Sequence, residues 1–218
     1  MTQHWENTLN AFYPHGGQGS AISRTRRQHP FVQEIAGQAR NEGSGKGLIP
    51  LKKYTMEIIE TKIKDLLVIK PDVFTDERGY FFESYNQERF AQHGLDMTFV
   101  QDNESQSMKG VLRGLHFQKP PFAQGKLVRV VKGSVMDVAV DLRKDSPTYG
   151  QWESVVLTEG NKFMYWIPEG FAHGFVCLED HSVFTYKCTN VYNKASEGSI
   201  RWNDPDLNIN WEIGRAHV

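Results

Sequence analysis

No stretch of eighteen or more apolar residues occurs in this chain of 218, and its first thirty residues lack the apolar segment of a secretory signal. The sequence therefore supports neither a membrane span nor export. Net charge is just as scarce: 25 Lys and Arg against 26 Asp and Glu leave −1. No global field draws in nucleic acid or an anionic membrane, so any bound anion must be held by a local cluster. The two cysteines, Cys177 and Cys188, lie in strand-like runs without metal-ligand spacing. They read as free thiols in a reducing, cytoplasmic setting. No repeat of 20 to 50 residues is visible, so nothing points to a solenoid or propeller.

What is present suits an ordered core, with 39% hydrophobic and 12% aromatic residues. The texture changes near residue 55. Residues 1–55 carry two Gly-rich stretches and the basic cluster Arg24, Arg26, Arg27, a composition that builds no core and reads as a disordered or atypical extension. Globular character begins at Met56, which reads as a natural start. Residues 56–218 form the second unit.

From there the pattern is short strands broken by turns. Strands are expected at 66–70, 73–74, 99–103, 111–117, 126–131, 134–141, 152–157, 163–167, 172–178, 182–190 and 200–201. Lys132-Gly133 reads as the turn of an antiparallel hairpin joining 126–131 to 134–141. One short helix is expected, with Asn86 as N-cap, Tyr85 and Phe90 as a hydrophobic staple and Gly94 as the stop. Many short strands and one helix predict an all-β sandwich or barrel.

Two segments have the spacing of a metal-binding jelly roll without its ligands. Gly110 is followed by His116, and Pro168 to His173 matches P-x-G-x-x-H, as in the two cupin motifs. The second histidine of the first motif is replaced by Gln118, and no glutamate follows at the required spacing. Two lone histidines are a poor cage for a divalent metal, so no metal and no cofactor are predicted. A pocket histidine has another use, because its ordinary pKa near 6.5 makes it a natural general base. Lys126 could stabilise an oxyanion and Tyr186 could deliver a proton, which together describe proton removal beside a carbonyl and its return from the other face. Against this, a lone strand histidine is usually structural. His116 departs from that default because strand alternation is read as placing Arg113 and Gln118 on its face. His4, His15, His29, His93 and His181 have no such company and read as surface. Arg78 reads by default as a turn residue and the aromatic run after it as core.

Taken together, the blocks DERGYFFESYN, FVQDNESQS, VLRGLHFQ, QGKLVRVVKGSVMDVAVDLRKDSPTYGQW, WIPEGFAHGFVCLED, YKCTNVYN and EGSIRWNDPDLNINW resemble the dTDP-4-dehydrorhamnose 3,5-epimerase family from Met56 to about Trp211. The resemblance implies a metal-free, cupin-like jelly roll (a double-stranded β-helix) acting as a homodimer with an exchanged N-terminal strand. It implies a dTDP-sugar substrate and no nucleic acid or membrane partner. It puts the base on His116, the proton donor on Tyr186 and the lysine beside the keto oxygen on Lys126. Arg113 and His173 fall on sugar and phosphate contacts. Arg78, Phe81 and Glu83 fall on residues reaching the neighbouring subunit's nucleotide, and Gln101, Asn103, Tyr192 and Glu197 complete the pocket. The implied reaction is epimerisation at C3 and C5 of dTDP-4-dehydro-6-deoxy-D-glucose, in dTDP-L-rhamnose biosynthesis.

One departure stands out. The family continues with S-x-K-D, whose aspartate orients the base, whereas here Trp211 is followed by Glu212 to Val218. The sequence reading is therefore of a C-terminally truncated copy of reduced or no activity, with Asp137 or Asp141 as candidate replacements. A single-carbon epimerase, a ketoisomerase, a binding-only cupin and a metal-dependent oxygenase are the alternatives.

Overall fold

The computed structural model describes residues 56–211. The expected extension over 1–55 and the segment after Trp211 lie outside these residues. In chain order the elements begin with β1 (Glu57–Glu60), β2 (Leu67–Lys70), β3 (Phe74–Asp76) and β4 (Gly79–Phe81), followed by α1 (Gln87–Gln92). Next come β5 (Gln101–Ser107), β6 (Leu112–Gln118), β7 (Lys126–Lys132), β8 (Ser134–Asp141) and β9 (Trp152–Thr158). The last are β10 (Met164–Ile167), β11 (Phe171–Cys177), β12 (Ser182–Cys188), a 3-10 turn at Lys194–Ser196 and β13 (Glu197–Ser199). Among the described residues no helix is long and apolar enough to cross a membrane.

The strands form two facing antiparallel sheets and a small hairpin. The larger sheet runs β1-β2-β10-β7-β12-β5, the smaller β13-β6-β11-β8-β9, and β3 pairs with β4. This is the expected cupin-like jelly roll. Its central strand β8 explains the arrangement, because every one of its residues is buried. Val135 and Ala139 face the space between the sheets with Val128, Val130, Phe175 and Phe184. Met136, Val138 and Val140 face the other way, against Leu207 and Trp211 of the C-terminal segment. Covered on both faces, the strand reads as a continuous apolar run instead of an alternating one. Each such fully buried aliphatic side chain contributes about 1.5–3 kcal/mol. A third cluster, Ile69, Leu127 and Met164 under Phe90 of α1, covers part of the outer face of the larger sheet.

The expected hairpin does not form. β7 pairs with β10 and β12, whereas β8 pairs with β11 and β9 in the other sheet. The chain crosses between sheets at Gly133, whose φ of +77° suits the turn and where a Cβ would press on Ser182. Local alternation marks both strands correctly but does not say which neighbours each will take. Because β7 is apolar on both faces too, pairing with its sequence neighbour is no better than pairing elsewhere. Three further expectations are corrected, and two strands, β1 and β4, are added. β5 lies at 101–107, since the polar run QDNESQS carries little strand signal. The strand expected at 200–201 lies instead at Glu197–Ser199. The aromatic run after Arg78 is not all core, because Tyr80 and Phe81 are 57% and 63% exposed.

The helix follows its sequence signals. The Asn86 side chain accepts from the Arg89 N–H, Gly94 adopts φ +78° just past the end, and the Tyr85 and Phe90 rings sit 5.0 Å apart. One buried group is out of place in the core between the sheets. The Tyr165 hydroxyl has no hydrogen-bond partner among the described residues, and burial, with Asp137 and Glu153 adding to it, pushes the phenol far above its ordinary range. Tyr165→Phe is expected to stabilise the protein by about 1 kcal/mol, because an unmade buried hydrogen bond leaves only its desolvation cost. A thermal melt checks this, and a lowered midpoint would show that the hydroxyl is in use.

Candidate active site

Between the two sheets, at one end of the sandwich, lies a cavity of about 740 Å³. The smaller sheet contributes His116 and Arg113 from β6 and His173 from β11. The larger contributes Lys126 from β7, Tyr186 from β12, and Gln101 and Asn103 from β5, while Tyr192 and Glu197 close the rim. His116 and His173 are direct cross-strand neighbours, as are Tyr186 and Asn103.

Alternation alone brings Gln118 to the face of His116, but Arg113 is three residues away and arrives differently. A bulge sets Gly114 and Leu115 of β6 opposite the single Gly174 of β11, which returns Arg113 to the cavity. Gly114 has φ +136°, and a Cβ there would overlap the Gly174 backbone. The two facing glycines are therefore needed for the bulge to close. Arg113 donates from Nε to Ser107 Oγ at 3.0 Å, which fixes the guanidinium against β5.

The electrostatics favour a neutral His116 and a strained Lys126. Burial lowers the His116 pKa, Lys126 and His173 add to the lowering, and Glu197 opposes it. Burial likewise lowers the Lys126 pKa, against the pull of Cys188, Asp137 and Glu197, and its ammonium lies 5.9 Å from the centre of the Tyr186 ring. Burial raises the Tyr186 phenol, so it remains a proton carrier at neutral pH. Behind these groups Asp137, fully buried in β8, accepts from His173 Nε2 at 2.9 and 3.0 Å. Burial raises its pKa, and the His173 pairing and the Lys126 charge oppose the rise.

Of the residues singled out from the sequence, Gln101, Asn103, Arg113, His116, Lys126, His173, Tyr186, Tyr192 and Glu197 all line this cavity. Arg78, Phe81 and Glu83 do not. Arg78 lies on the exposed β3–β4 hairpin, paired with Asp76 at 2.6 Å, and Glu83 is held by Arg89 at 2.8 Å. Neither candidate replacement carboxylate is hydrogen-bonded to His116. Asp137 is bound to His173, and the Asp141 oxygens accept from Arg143, Ser146 and Thr148. Burial works to raise Asp141, but those hydrogen bonds outweigh it and hold the carboxyl below its ordinary value. The His173–Asp137 pair was not anticipated. Its signal was Asp137 in the middle of the apolar run SVMDVAVD, since a buried charge needs a partner. Gln118 was noted as a missing ligand and as company for His116 on its strand face, but not for its own hydrogen bonds.

Chemically, the arrangement sets a neutral imidazole on one sheet opposite a phenol and an ammonium on the other. Similarity to known proteins agrees with that layout. The family model described as dTDP-4-dehydrorhamnose 3,5-epimerase matches residues 60–218. The dTDP-4-dehydrorhamnose 3,5-epimerase of Salmonella typhimurium is 59% identical over 161 residues, covering 73% of this chain and 88% of that protein. The dTDP-6-deoxy-D-glucose-3,5-epimerase of Legionella pneumophila Philadelphia 1, solved with dTDP-4-keto-L-rhamnose, superposes with a TM-score of 0.72 at 51% identity, over 74% of this chain and 86% of that one. A 3'-monoepimerase from Streptomyces bikiniensis, solved with dTDP-quinovose, gives 0.68 at 33% identity, over 72% and 81%. Matches of this length and identity, on a fold whose two sheets converge on a single polar cavity, place the chain in the dTDP-4-dehydrorhamnose 3,5-epimerase family.

Proposed function

We propose that this protein epimerises C3 and C5 of dTDP-4-dehydro-6-deoxy-D-glucose, giving dTDP-4-dehydro-L-rhamnose. The observation that carries the reading is the placement of His116 and Tyr186 on opposing sheets across one cavity. A sugar ring lying between them presents one face to each, and inversion needs a proton taken from one face and returned to the other. The C4 ketone acidifies the hydrogens at C3 and C5. His116 accepts one, the electron pair moves into an enolate whose oxygen lies toward Lys126, and Tyr186 returns a proton from the far side. Once His116 has released its proton to solvent and Tyr186 has regained one from it, the sequence repeats at the second carbon. Arg113 supplies the local positive charge for the pyrophosphate that the near-neutral chain as a whole does not.

The test is incubation with the substrate in deuterium oxide, followed by NMR. Wild-type protein is expected to place deuterium at both C3 and C5. Label at one carbon would replace this reading with single-carbon epimerisation, which the likeness to the 3'-monoepimerase keeps in view. Binding of dTDP without label at either carbon would mean a binding protein.

The working unit we propose is a homodimer. The exposed Tyr80 and Phe81 and the outward Arg78 suit a hairpin that reaches a partner's nucleotide. β1 lies at a sheet edge, paired with β2 within the chain, and an edge strand is exchanged between copies at low cost.

A further inference from the structure

Gln118 stands where a cupin's second metal-binding histidine would be, and its amide is spent on something else. Nε2 donates to the Phe122 carbonyl at 2.6 Å and to the Val191 carbonyl at 3.1 Å. Oε1 accepts from the Asn193 N–H at 2.7 Å. Two carbonyls and one N–H fix the amide in a single orientation. A neutral imidazole, with one donor and one acceptor, could not serve all three. The side chain is 7% exposed, so water is poorly placed to substitute for any of them.

Val191 and Asn193 flank Tyr192. The backbone on both sides of that residue is thus held from below by one buried side chain, while Tyr192 itself is 54% exposed at the cavity rim. Its own remaining contacts come from inside the same cavity: its N–H donates to Gln101 Oε1 at 2.8 Å and its hydroxyl to Glu197 Oε2 at 3.0 Å. The Phe122 bond ties the same amide to the other rim loop, which leads into Lys126. That loop is further sewn to the first by Gln124 Nε2 on the Asn190 carbonyl and Asn190 Nδ2 on the Pro121 carbonyl.

We infer that Gln118 is a positioning residue for nucleotide binding: it sets the exposed Tyr192 ring at the cavity rim, where its open face offers a surface for a flat base. This rests on reading the cavity as a dTDP-sugar site. An exposed ring held at a fixed height by its backbone is preorganised, and binding then loses less freedom than if the loop had to order around the ligand.

The experiment compares full-length wild type, Gln118→Met, Tyr192→Ala and the double variant, using dTDP titration, steady-state turnover and amide hydrogen exchange. In Gln118→Met the dTDP dissociation constant and the KM are expected to rise about tenfold with kcat within about threefold, because the reacting atoms are untouched. Adding Tyr192→Ala to Gln118→Met should then cost less than about threefold more, since both act through one ring. The Asn193 amide should exchange faster while the β8 amides do not. Multiplying effects of the two substitutions, a loss confined to kcat, or unchanged Asn193 exchange would each overturn the inference. Normal dTDP binding by Tyr192→Ala would overturn it while leaving the epimerase reading intact. No dTDP binding by wild type would overturn that reading itself. If the methionine variant does not fold, Gln118→Asn carries the same test, since an amide one methylene shorter cannot reach all three partners.

Discussion

Replacing His116 with alanine is expected to lower turnover about a thousandfold, within the range for loss of a positioned general base. dTDP binding should stay within a few fold of wild type, because the group His116 is proposed to deprotonate belongs to the sugar, which dTDP lacks. The imidazole's surroundings suit a base better than a fixed charge: burial and the Lys126 ammonium both favour its neutral form over the opposing Glu197. Its pKa is thus below 6.5, so kcat/KM should fall only as the pH drops beneath that value. The same sign applies to stability. A histidine easier to protonate unfolded than folded weakens the fold as pH falls below the unfolded value near 6.5. Steady-state assays from acid to neutral pH, with deuterium incorporation as a second readout, check both. Retention of a tenth of wild-type turnover by the alanine variant would remove His116 from the mechanism.

Lys126→Met is expected to cost about a hundredfold to a thousandfold, the scale seen when one donor to a developing oxyanion is removed. The loss should fall on kcat, with KM nearly unchanged, because the ketone oxygen takes up full negative charge only as the enolate forms. A second consequence separates a charge effect from a packing effect. Removing the ammonium relieves the pressure that keeps His116 neutral, so the acid limb of the residual activity should move to higher pH. Lys126→Arg should not restore activity, since a planar fork does not replace a compact ammonium in this partly buried corner beside Tyr186. A raised KM with kcat unchanged and an unmoved pH profile would assign Lys126 to binding alone.

The sequence was most informative where local chemistry decides local structure. Asn86, Phe90 and Gly94 specify α1 because caps and staples act within a few residues, and β8 is legible because an apolar run of that length bounded by turns has few other uses. Pairing is a different matter. Whether β7 takes β8 or β12 as neighbour depends on distant strands, and the two sequences give no local sign of it. The site divides the same way. His116, Lys126 and Tyr186 could be nominated from residue type and from the family blocks. The route by which Arg113 joins them needed the Gly114 and Gly174 bulge, which only a three-dimensional register reveals. Gln118 was visible as a substitution on the face of His116, but nothing in a glutamine's neighbours along the chain says that its partners sit at 122, 191 and 193.

The crossing at Gly133 separates what would have been one hairpin into two walls, and the consequence is dimensional. The groups proposed to take and return a proton ride on different sheets, and what holds those sheets apart is the apolar filling, with Phe175 of one wall stacked on Phe184 of the other at 4.2 Å. The thickness of that filling acts as a spacer gauge for the reaction. Since a displacement of about 1 Å can cost on the order of a hundredfold in rate, side chains that never meet the sugar still determine whether acid and base can both reach it.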